Sequence, residues 1–88
     1  MTSMIVVYDL RAPGRNYQGL YDELESFGIK SKITESAWFI KTNLTCAEVR
    51  NSLIAQLDKN DRIFVGKLSG AAAWHNTICS NNFLLENL

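Results

Sequence analysis

Asp9 closes an apolar run, Met4-Ile-Val-Val-Tyr-Asp-Leu10, and two arginines follow at once around Pro13-Gly14, at Arg11 and Arg15. A carboxylate at the carboxyl end of a strand stands where sheet proteins place their chemistry. The same residue type also accepts backbone N–H bonds in the turn after a strand, which is its commoner use. Arg11 and Arg15 approach the start of a predicted helix, where free N–H groups and the helix dipole favour a phosphate. Solvated arginines paired with Asp22 or Glu23 explain the same residues without a ligand.

A second set is Lys30, Lys32, Phe39 and Lys41, predicted to share one face of a hairpin. There Phe39 would stack a base and the lysines would neutralise phosphates of a single-stranded nucleic acid, with an affinity that falls with salt. Lysines guarding a strand edge are the ordinary explanation of this pattern. The segment Arg62-Ile-Phe-Val-Gly-Lys-Leu68 looks like the short aromatic motif of RNA-recognition sheets, but that motif stands on a first strand with a longer companion that is absent here. His75, Cys79 and Cys46 fall short of a structural zinc set, which wants four ligands, and no acid at a telling spacing orients them as a nucleophile.

These residues sit on a strand, helix, strand, strand, helix, strand pattern. The first run is β-branched and aromatic and stops at Pro13-Gly14, which reads as a buried central strand. Tyr17, Leu20, Tyr21, Leu24 and Phe27 trace one helical face, with Asn16 as the cap and Gly28 as the stop. Ile29 to Thr42 reads as a hairpin about Glu35-Ser36, pairing Ile33 with Trp38, Ser31 with Ile40 and Ile29 with Thr42. A bulge would shift that register. Thr45-Cys-Ala-Glu48 matches a capping box ahead of a helix with Cys46, Val49, Leu53, Ile54 and Leu57 as its stripe. Arg62 to Leu68 is the last core strand, and Ser80-Asn81-Asn82 before Phe83-Leu84-Leu85 suggests a short terminal helix. The order predicts an α+β ferredoxin-like sandwich, a four-stranded antiparallel sheet with two helices on one face, in a single domain whose core spans about residues 3–68.

Eighty-eight residues make one small domain of marginal stability. Nine basic and nine acidic side chains cancel, so nucleic-acid binding must come from a local patch. No apolar segment is long enough for a leader or a span, and the two cysteines form no Cys-x-x-Cys pair, so a cytoplasmic protein with reduced thiols and no membrane partner is expected. The first and last strands are apolar on both sides, and two helices cover only one face. The second face needs a cover, and a two-fold dimer assisted by the charge-poor 69–88 tail is expected to supply it, with Tyr8, Phe64 and Trp74 in that packing.

The apolar-Tyr8-Asp9 ending, the arginines after it and the Gly28…Ser36…Phe39 pattern resemble the CRISPR-associated endoribonuclease 2 superfamily. More narrowly, Tyr8-Asp-Leu-Arg-Ala-Pro-Gly-Arg-Asn-Tyr17, Glu35-Ser-Ala-Trp38 and Ala73-Trp74 look like small bacterial and phage proteins described as SinR-like. The resemblance implies a ferredoxin-like homodimer, metal-dependent nuclease activity in some members and a structural role in many. It also implies that the aspartate closing the first strand, here Asp9, meets its twin across the two-fold axis and binds a divalent cation, Mg²⁺ or Mn²⁺. Arg15 and Ser36 roughly match a basic and a polar position of the family. The neutral charge and the Ala71–Leu88 tail depart from it. The expected function is therefore a metal-dependent nuclease or nucleic-acid-binding dimer centred on Asp9. The alternatives are a non-catalytic assembly module of phage or defence origin and a small-nucleotide site at the dimer groove served by Arg11 and Arg15.

Overall fold

The structure is a computed structural model that describes Met1–Leu88. Its elements are β1 (Thr2–Asp9), α1 (Gln18–Glu25), β2 (Ile29–Thr34), β3 (Ala37–Thr42), α2 (Cys46–Ile54), β4 (Arg62–Lys67) and α3 (Asn81–Asn87). The four strands form one antiparallel sheet in the order β2-β3-β1-β4. β1 is a central strand because both of its sides are apolar, and alternation sends Met4, Val6 and Tyr8 to one face and Ile5 and Val7 to the other.

Met4, Val6, Tyr8, Trp38 and Ile40 meet Leu20 and Leu24 of α1 and Val49 and Leu53 of α2 in a single buried cluster, so both helices cover the same sheet face. Thr45 builds the expected capping box: its hydroxyl accepts the Glu48 N–H at 3.1 Å and the Glu48 carboxylate accepts the Thr45 N–H at 2.9 Å. Ile54, expected in the α2 stripe, is exposed at the helix end. α1 also stops short of Gly28. Ser26 is its C-cap, and its hydroxyl bonds the Glu23 carbonyl, so no left-handed glycine is needed there. At its start the Asn16 side chain accepts the Gln18 N–H at 2.8 Å.

The hairpin register differs from the expected one. Thr34 pairs with Ala37, a bulge intervenes, and Lys32 then faces Trp38, Lys30 faces Ile40 and Ile29 faces Lys41. The extra residue moves Ile29 and Ile33 to the face opposite Trp38 and turns Lys30 and Lys32 toward the helices.

The second face is covered in part by the chain's own tail. Phe39, Cys79 and Leu84 are its buried residues, with Ile29, Ile33, Leu68, Trp74, Phe83 and Leu88 packed around them. Phe83 meets Phe39 edge to face at 5.4 Å between ring centroids. Backbone bonds pin the tail at its root and midway along it: Leu68 N–H to Ser3 O and Ile78 N–H to Ile33 O, both 2.9 Å. The Ser3 hydroxyl donates to Asn87 O, and the Ser80 side chain caps α3. Gly70 begins this segment at φ +94°, a conformation side chains resist. No helix is long and apolar enough to cross a membrane.

Candidate nucleic-acid interface at the open end of the sheet

β1 ends at Asp9, opposite Arg62 of β4. One oxygen of the Asp9 carboxylate, Oδ2, accepts Nη1 of Arg62 at 3.1 Å and Nη1 of Arg11 at 3.4 Å. Asp9 thus forms ion pairs across the strand pair and with the loop after β1, and takes no backbone N–H bond there. Its side chain is 53% exposed and that of Arg62 67%. Each guanidinium carries five donors, and its bond to Asp9 uses only one of its nitrogens.

The turn-holding role belongs to Asp61, just before β4, which sequence reasoning did not single out. Asp61 Oδ1 accepts the Arg11 N–H at 2.6 Å and the Tyr17 hydroxyl at 2.8 Å, and Oδ2 accepts the Asp58 N–H at 2.8 Å. Partial burial pushes the Asp61 carboxyl up. The two backbone bonds, the phenol and the Arg15 charge outweigh it and hold the group below the ordinary aspartate value. For Tyr17, burial and the bond to Asp61 push the phenol up. The only local sign of this clasp is the Asp58-Lys-Asn-Asp61 cluster before a strand; its Arg11 and Tyr17 partners lie 50 and 44 positions away.

Arg15 pairs with neither Asp22 nor Glu23. It stacks over the Tyr17 ring at 5.5 Å and reaches Asp58 at 3.9 Å and Gln56 O at 3.4 Å, which ties the β1–α1 loop to the end of α2. Pro13-Gly14 makes the turn that allows this, with Gly14 at φ +80° and Arg15 N–H bonded to Ala12 O at 3.1 Å. Ser36 serves the fold through its backbone, its carbonyl accepting the Tyr8 N–H at 3.0 Å.

The expected lysine and phenylalanine platform is not formed. Phe39 is fully buried beneath the tail, so no base can stack on it. By the β3 alternation Lys41 shares the Phe39 face, while Lys30 and Lys32 lie on the other, 3.6 Å from Glu25 and Glu35 respectively. They line an open groove with Tyr21 and Trp38.

Of the three residues expected in the packing of the second face, Trp74 is there, with its indole N–H on Asn81 at 3.1 Å. Tyr8 is not, because even-numbered residues of β1 face the helices. Its hydroxyl accepts the Trp38 indole N–H at 3.1 Å, and burial pushes its phenol up. Phe64 belongs to the second face but lies past the end of the tail, 66% exposed.

A divalent cation of the Mg²⁺ kind takes about six oxygen ligands. This chain offers Asp9 alone at the end of β1, already neutralised by two guanidiniums, and no three acidic, histidine or cysteine side chains converge anywhere. The donor set of one chain does not fit the ion. Cys46 and Cys79 are free thiols, and Cys79 is buried, its Sγ 3.7 Å from the Thr77 hydroxyl. No family model matches the sequence.

Proposed function

We propose that this chain is a ferredoxin-like protein of the CRISPR-associated endoribonuclease 2 superfamily that binds nucleic acid at the open end of its sheet, with Arg11 and Arg62 as the phosphate-contacting residues. The ferredoxin-like reading is supported by the element order, by the strand order β2-β3-β1-β4 and by both core helices lying on one face. The observation that carries the functional reading is the Arg62–Asp9–Arg11 cluster. One carboxylate shared by two exposed guanidiniums leaves surplus N–H donors at the tip of the central strand. Asp9 in this reading positions the arginines and does no hydrolysis.

The test is binding and cleavage of labelled RNA and DNA at low salt, with Mg²⁺, with Mn²⁺ and with chelator, using wild type, Arg62→Ala and Asp9→Ala. Binding that weakens in Arg62→Ala and survives chelation supports the reading. Metal-dependent cleavage lost in Asp9→Ala overturns it in favour of a nuclease.

A second reading, a homodimeric assembly module, is favoured by one observation. Val7, 38% exposed, and Phe64 leave apolar surface without a cover directly beside Asp9. A second copy seated there would bring two Asp9 clusters together. Sedimentation that finds only a monomer at micromolar concentration removes this reading.

A further inference from the structure

Phe64 belongs to neither apolar cluster of the fold. It stands on β4, an edge strand, opposite Val7, and its ring is the largest exposed apolar group on the sheet face that the tail leaves open. The ring does not wave freely. A Cβ placed on Gly66 would come within 2.8 Å of its Cε1, so it leans along the strand over the space that Gly66 leaves vacant. Arg62 lies two residues before it on the same face, about 6.6 Å along the strand, with its guanidinium 3.1 Å from Asp9. Between them is a crevice of about 190 Å³ lined by Val7, Tyr8, Asp9, Arg62, Ile63 and Phe64.

We infer that Phe64 is a base-stacking residue for single-stranded nucleic acid, with Arg62 holding the phosphate of the stacked or neighbouring nucleotide. The inference rests on the nucleic-acid reading given above and adds the strandedness and the stacking residue. An aromatic ring laid open beside a guanidinium that keeps donors beyond its bond to Asp9 matches the two faces of a nucleotide, an apolar base and an anionic phosphate. The ring takes an unpaired base, and a duplex keeps its bases stacked on one another. A second copy of this chain fits the patch less well. Val7 and Phe64 offer far less than the roughly 1,000 Å² of total buried surface that a stable interface needs. Such a contact would also strip water from Arg11 and Arg62 with only Asp9 to compensate.

The test is fluorescence anisotropy of a labelled oligonucleotide, single-stranded and as its duplex, with the full chain at low salt. Phe64→Leu keeps the bulk and apolarity and removes the ring; Phe64→Trp keeps a stacking ring and reports on it by quenching. The expected result is that Phe64→Leu loses about tenfold in single-strand affinity, in line with the stacking of one base. Its duplex binding is unchanged, and Phe64→Trp binds like wild type with its added fluorescence quenched. Wild type that binds both forms, with Phe64→Leu equal to it on each, overturns the inference and leaves the nucleic-acid reading standing. Wild type that binds neither form overturns both. A Phe64→Leu variant that sediments at half the wild-type mass assigns the ring to a second copy and also overturns the inference.

Discussion

A carboxylate that accepts two backbone N–H bonds and a phenol proton at once is favoured in its charged form, and Asp61 does this where the β1–α1 loop meets the start of β4. Its folded-state pKa lies below the ordinary 3.8. A depressed acid contributes stability that is fully present above the unfolded value and is lost as pH falls through the folded one. Asp61→Asn should therefore melt lower than wild type at neutral pH, and the gap should close as the pH drops below about 4. Thermal melts of both proteins across this range check it, and a gap that stays constant with pH would show that the charge does not matter. Asp9 was legible as a strand-end carboxylate because the apolar run before it is local. Its partner Arg62 was not, since nothing within the β1 segment says which strand lies opposite.

Elements hold where a local signal and a burial pattern agree. The Thr45…Glu48 capping box needs only four consecutive residues to be read, and it forms as read. Thr45→Ala should lower stability by about 1 kcal/mol. It would appear as a lower urea midpoint with an unchanged slope. The hairpin shows the opposite case. Its strands were readable from composition, but Glu35-Ser36 is a poor two-residue turn, and the bulge before it decided the faces. One inserted residue in β2 was enough to put Lys30 and Lys32 on the face opposite Phe39, which the tail buries. The tail follows the same logic as a core element: Leu84 is 3% exposed against the sheet. Leu84→Ala should cost about 2–5 kcal/mol, the range for a buried leucine. Amide exchange should then speed up in α3 and at the Ile78 N–H before it changes in β1. Uniform loosening of the whole chain would instead mean that the tail and the sheet unfold as one unit.

At the scale of the molecule, the sheet is packed on both sides by its own chain, helices α1 and α2 on one and the 69–88 tail on the other. The apolar character of both faces of β1 pointed to a cover for the second face; which segment supplies it depended on contacts between residues far apart in the sequence. The tail therefore competes with any second copy for Ile5, Ile33, Phe39 and Leu68. A chain ending at Ser69 would lay these side chains bare together with Val7 and Phe64, a contiguous apolar face that soluble monomers seldom carry. Such a truncated protein should keep its sheet and its first two helices, bind an apolar dye, and sediment at a higher mass than the full chain at the same concentration. Far-UV circular dichroism, dye fluorescence and sedimentation velocity measure the three effects. If the truncated chain stays folded, binds no dye and sediments as the full chain does, the tail is not what covers the second face, and the apolar side chains of β1 must be satisfied within the sheet and helices alone.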